Sequence, residues 1–152
     1  MKAITLQEDL AKGLVMVSRV VASRGQLPVL ANILVEGTKE GVNLVATNLE
    51  LGMRVAVGGR VEEEGAITVP ARQLVEFVAA METGNVKLGT EAEKMSVVGS
   101  GSRGMFAGIA ASEFPTLPRA GETKSGKVKI DKKTILEIAA QVAYAAAGDE
   151  SR

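Results

Sequence analysis

The chain has 152 residues, 46% of them hydrophobic, which suits about one domain with a proper core; no apolar run approaches the roughly 18 residues of a membrane span. It contains no Cys and no His, which removes disulfides, thiolate metal sites and the commonest metal ligand and general base. Lys plus Arg and Asp plus Glu number 18 each, so any contact with a polyanion must come from a local basic surface.

The first residues, "MKAITLQEDL", carry acids early and lack a signal-peptide core, which predicts a cytoplasmic protein. From Lys2, "KAITLQEDLAKGL" reads as a strand that turns into a helix with almost no loop. Leu10, Leu14, Val17 and Val21 recur at helical spacing, and Lys12 and Arg19 fall on the opposite face. In the loop "SRGQLPVLANILVEG", Arg24 stands beside Gly25, before Pro28 forces an extended backbone. An exposed Arg past a helix end can touch a phosphate, or be an ordinary solvated loop residue. Extended segments follow at Ala31–Glu36, Val42–Thr47 and Leu51–Val57, the last stopped by Gly58 and Gly59.

The run "RVEEEG" predicts an acidic edge strand that resists edge pairing. Glu62, Glu63 and Glu64 are no metal cage, because consecutive strand residues face opposite ways. From Gly65, "GAITVPARQLVEFV" repeats the strand-to-helix move: Val69 and Pro70 close the extended run, and Pro suits a helix's first turn. Its apolar stripe is Leu74, Phe77, Val78 and Met81, with Arg72 at its start. Strands are predicted next at Asn85–Leu88, Lys94–Val98 and Arg103–Ile109. "GSGSRG", Gly99 to Gly104, matches a dinucleotide fingerprint in letters only. No helix follows to receive a pyrophosphate, so it reads as a hairpin turn.

Thr116–Ser125 is expected to be a linker. From Gly126, "GKVKIDKKTILEIA" makes the move a third time, with a helix running to about Ala147. Ile135, Ile138, Ala139 and Val142 form its apolar stripe, and Lys132 and Lys133 oppose the helix dipole in its first turn. The terminal "GDESR" is expected to be mobile. The three starts lie about sixty residues apart, a repeat period, and each full unit reads β-α-β-β-β. Two units side by side predict an α+β architecture, two helices over one continuous antiparallel sheet surface. Residues 1–120 would form that domain, and 121–152 a linker and the first strand and helix of a second, truncated one. Ser18, Ser23, Ser96 and Ser112 have no His to activate them, and scarce aromatics (3%) leave no platform for stacked bases. The expectation is a protein without catalysis, metal or cofactor.

"LPVLANILVEG", "LVATNLELGMRVAV", "GAITVPARQLVEFV" and "SEFPTLP", in that order and spacing, resemble the first domain of the bacterial DNA polymerase III beta subunit, the sliding clamp family. The resemblance runs from Met1 to Arg152. It implies a DNA-clamp fold with helices on the inner face and antiparallel sheets on the outer face. It also implies a non-enzymatic, head-to-tail homodimeric ring of three similar domains per subunit, threaded by duplex DNA. Polymerase III and the clamp loader would dock between the second and third domains, which are missing from this chain, so the resemblance makes it an N-terminal fragment.

Arg24 falls on the family's DNA-reaching loop arginine, and Arg72 on its channel-facing arginine. Lys12 and Arg19 are added as lining on helical geometry. The resemblance implies a subunit joint along the strand Arg103–Ile109, through Arg103, Met105, Phe106 and Ile109, with Phe106 as apolar anchor. Gly104 and Gly108 stand where bulkier residues are usual. The competing reading is a free-standing α+β protein-interaction module without DNA encirclement. A nucleotide-binding enzyme using "GSGSRG" ranks last.

Overall fold

A computed structural model describes residues 1–22, 27–118 and 129–145. Arg24, Ser23, most of the expected linker, the start of the third repeat and residues 149–152 lie outside the described residues. The chain divides into two compact units, Met1–Leu117 and Pro118–Arg152.

The first unit runs β1 (Lys2–Leu6), α1 (Gln7–Ser18), β2 (Asn32–Thr38), β3 (Gly41–Thr47), β4 (Gly52–Gly58), β5 (Arg60–Glu63), β6 (Gly65–Pro70), α2 (Ala71–Ala79), β7 (Asn85–Glu91), β8 (Lys94–Gly99), β9 (Ser102–Ala107) and β10 (Ile109–Ala110). Both predicted strand-to-helix junctions are present without a loop residue. Pro70 closes β6, as expected, and is the residue immediately before α2. Neither helix has a side-chain cap at its N-terminus, so packing must hold them. Leu10, Leu14 and Val17 of α1 and Leu74 and Val78 of α2 are buried, and each such side chain contributes roughly 1.5–3 kcal/mol.

The antiparallel sheet surface expected from the repeat consists of two five-stranded sheets, ordered β5-β1-β7-β8-β9 and β10-β6-β2-β3-β4. The two orders superpose when the repeats are exchanged, β1 for β6 and β7-β8-β9 for β2-β3-β4. Each repeat therefore lends its first strand to the other's sheet. The 12-residue α1 is about 18 Å long, enough to carry the chain from one sheet to the other. "GSGSRG" is a hairpin: Gly99 pairs with Ser102 across Ser100 and Gly101, and Gly101 takes φ +65°, which glycine adopts without steric cost. The acidic run lies on β5, an outer strand as expected.

The predicted strand Arg103–Ile109 breaks at Gly108, and its two parts join different sheets. Gly108 donates its N–H to the Glu93 carbonyl at 2.7 Å. A Cβ there would stand 2.4 Å from the Thr68 carbonyl oxygen, so only glycine lets the chain cross against β6. Ile109 consequently belongs to β10, not to the edge strand assigned to it from the sequence.

One core lies between the helices and the two sheets. A second sits on the other side of β2 and β3, where Leu34 and Val45 meet Val29, Leu30 and Phe114, with Leu117 against them. The segments "LPVLANILV" and "SEFPTLP" thus close one small core together. Beside it, buried Asn32 donates from Nδ2 to Thr68 Oγ1 at 3.0 Å, and that hydroxyl donates to the Ile109 carbonyl at 2.9 Å. Thr68→Val removes both hydrogen bonds and is expected to cost about 1–3 kcal/mol. A urea titration should show a lower midpoint with an unchanged slope.

In the second unit, Lys129 and Ile130 belong to no strand, so the expected third strand is not seen among the described residues. The helix α3 spans Lys132–Val142, shorter than the predicted reach to Ala147. Its N-terminus is capped by Asp131, which accepts from the Thr134 N–H at 3.0 Å and from its hydroxyl at 2.6 Å. The Thr134 hydroxyl and N–H hold the Asp131 carboxyl below the usual range. That cap offsets the unfavourable Lys132 and Lys133 in the first turn. Ile135, Ile138 and Val142 are exposed.

Candidate nucleic-acid interface

Gln7, the first residue of α1, donates from Nε2 to the carbonyl of Val78 near the end of α2, at 2.8 Å and buried. The start of α1 therefore meets the end of α2, and the helices lie against each other as an antiparallel pair. The last turn of α1, capped by Arg19, then falls at the end of the pair where α2 begins with Arg72. Lys12, Arg19 and Arg72 are all exposed, opposite the buried stripes. The three described cations that the sequence picked out are thus all exposed on the helix pair.

Carboxylates share this face. Glu76 Oε1 accepts from Arg72 Nε at 2.8 Å, with side chains 64% and 89% exposed. Glu8 lies 3.9 Å from Lys12 Nζ. Glu76, through its hydrogen bond, raises the already high pKa of Arg72. Arg72 lies in the first turn of α2, against the helix dipole, so helix stability does not explain its position. Glu8 and Asp9 in the first turn of α1 are placed favourably. Arg19 has no ion pair among the described residues.

The predicted joint residues separate. Arg103 and Met105 are exposed on β9, which among the described residues pairs only with β8 and has its other edge open. An open groove of about 900 Å³ runs beside them, with Glu91, Glu93 and Lys94 along its wall. Phe106, expected as the apolar anchor of the joint, is 8% exposed and meets Phe77 edge-to-face at 5.4 Å. Strand alternation turns it away from Arg103 and Met105 and into the core. Ile109 packs against the second core. No helix among the described residues is long and apolar enough to cross a membrane, and no cluster of metal-ligating side chains occurs among them.

Two five-stranded antiparallel sheets, built from swapped repeats and packed with a helix pair that carries exposed cations, define an α+β clamp-like fold. Residues 1–118 match the family described as DNA polymerase III beta subunit, N-terminal domain, and the chain belongs to that family. The whole chain is 34% identical, over 156 residues, to the beta sliding clamp of Synechococcus elongatus, and 31% identical to that of Synechocystis. Among solved structures, the DNA polymerase III subunit beta of Pseudomonas aeruginosa superposes over the whole chain with TM-score 0.83 at 28% identity. The Bacillus subtilis sliding clamp gives 0.91 at 20% identity, a likeness of fold alone. The chain spans about 41% of the length of the curated relatives it matches.

Proposed function

We propose that this chain is the N-terminal part of a sliding clamp, a non-catalytic processivity factor that encircles duplex DNA and tethers the replicative polymerase. The observation that supports the reading is the packing of α1 against α2 with Lys12, Arg19 and Arg72 all exposed on that helix pair. Contacts from such a face go to phosphates and ignore base sequence. Arg24 joins this set on the family resemblance. In this reading residues 1–120 are the first clamp domain and 121–152 open the second, with helices toward the DNA and sheets outside. The open edge of β9, with Arg103 and Met105, serves the head-to-tail subunit joint. Polymerase and clamp loader bind through the rest of the subunit.

The test is the pair Arg24→Ala and Arg72→Ala in the intact subunit loaded on primed circular DNA. Retention is expected to fall, and the salt dependence to flatten by about one released counterion per lost phosphate contact. The melting midpoint should not move. Unchanged retention and an unchanged salt slope would remove these arginines from the DNA-facing surface.

A further inference from the structure

On the helix face formed by α1 and α2, three carboxylates, Glu8, Asp9 and Glu76, stand among three cations, Lys12, Arg19 and Arg72. Two of the cations are already engaged one turn along their own helix, Arg72 by Glu76 at 2.8 Å and Lys12 by Glu8 at 3.9 Å. We propose that Glu76, and more weakly Glu8, are built-in competitors of DNA phosphate that hold this face to brief, exchangeable contacts. The inference rests on the clamp reading and adds to it the residues that set how loosely the face grips.

The argument is one of exchange. An exposed i,i+4 ion pair is weak, so a phosphate can displace the carboxylate, but it must do so for each contact. The net gain per contact is then a difference between two similar ion pairs. When the duplex moves by one phosphate, the guanidinium returns to Glu76 instead of being left bare. Such a surface resists tight binding at any one register, as movement along DNA needs. Geometry ranks the two acids. Arg72 and Glu76 are hydrogen-bonded, whereas Lys12 and Glu8 lie beyond hydrogen-bond distance, so Glu76 should matter more. Arg19 keeps no such partner among the described residues and supplies the uncompensated charge.

The experiment uses the 152-residue chain and a fluorescent duplex of about 20 base pairs, a length spanning roughly two helical turns, titrated over a series of salt concentrations. Glu76→Gln keeps shape and helix propensity, and circular dichroism checks that the fold is unchanged. Expected is a two- to fivefold tightening, on the order of one surface ion pair, with a steeper salt slope. Glu8→Gln should give less. The decisive arm repeats Glu76→Gln in an Arg72→Ala background, where the tightening should largely vanish. An equal gain there would mean that Glu76 acts only through bulk charge and would overturn the proposal. So would no gain in the parent. If Arg72→Ala leaves binding unchanged while Glu76→Gln tightens it, the competitor idea fails and other cations carry the face. If neither the parent nor Glu76→Gln binds duplex even at low salt, the clamp reading of this face fails with it.

Discussion

Phe106→Ala is expected to lower the stability of the first unit by about 3–5 kcal/mol, as for a core aromatic, and by the same amount at every protein concentration. The ring is 8% exposed and stands at 73° to Phe77, centroids 5.4 Å apart, a geometry that adds to plain burial. A Cβ on Gly104 would lie 2.8 Å from the Phe77 ring and 3.0 Å from that of Phe106, so glycine there makes room for the pair. An interface anchor would behave otherwise: its loss would leave the monomer intact and weaken association on dilution. Urea titrations at two concentrations, with sedimentation alongside, separate the two. Met105→Ser is the comparison, since Met105 is 57% exposed on the open edge. It should leave the urea midpoint in place and act on self-association alone.

The assignment of Phe106 shows where sequence reading worked and where it stopped. The junctions at Leu6–Gln7 and Pro70–Ala71 were legible because the apolar period changes there from two to 3.6. The same periodicity placed Lys12 and Arg72 outside the core. Alternation along β9 also held the answer for Phe106, since residues 103 and 105 must oppose 106. The family resemblance, which groups all three on one joint, carries no information on that parity. The exchange of first strands between repeats was not legible, because pairing β1 with β7 is a contact across some eighty residues that no local pattern encodes. Nor were the two residues of β10, or the hydrogen bonds from Asn32 through Thr68 to Ile109. The ion pairs on the helix face were different. Glu8 with Lys12 and Arg72 with Glu76 stand four residues apart in the sequence, a spacing that pairs charges on any helix. They were missed because the cations were weighed without their neighbours.

Gly13→Leu is expected to cost about 3 kcal/mol, at the upper end of ordinary overpacking, despite removing a glycine from the middle of α1. Helix propensity alone argues the other way, because glycine is about 1 kcal/mol worse than alanine in a helix interior. Space decides against propensity. A Cβ at Gly13 would stand 2.3 Å from Val57 Cγ1 and 3.0 Å from Leu44 Cδ1, where carbon atoms prefer roughly 3.5–4.0 Å. Val57 is β-branched and cannot swing aside freely. For Gly13→Ala the two terms nearly offset, and a net loss of about 0–2 kcal/mol is expected. Leucine adds three more carbons to the same wall, and propensity cannot compensate. Pairing Gly13→Ala with Val57→Ala provides the check: the double variant should lose less than the sum of its parts, the signature of a shared contact. A Gly13→Ala chain stabilised by the full propensity gain would mean that α1 has room to spare above β3 and β4. The consequence reaches the surface, because Lys12 is the next residue and Gln7 anchors the same helix to α2. An α1 pushed outward by Gly13→Leu would shift Lys12 relative to α2, so duplex binding should weaken in step with the loss of stability, without any change in charge.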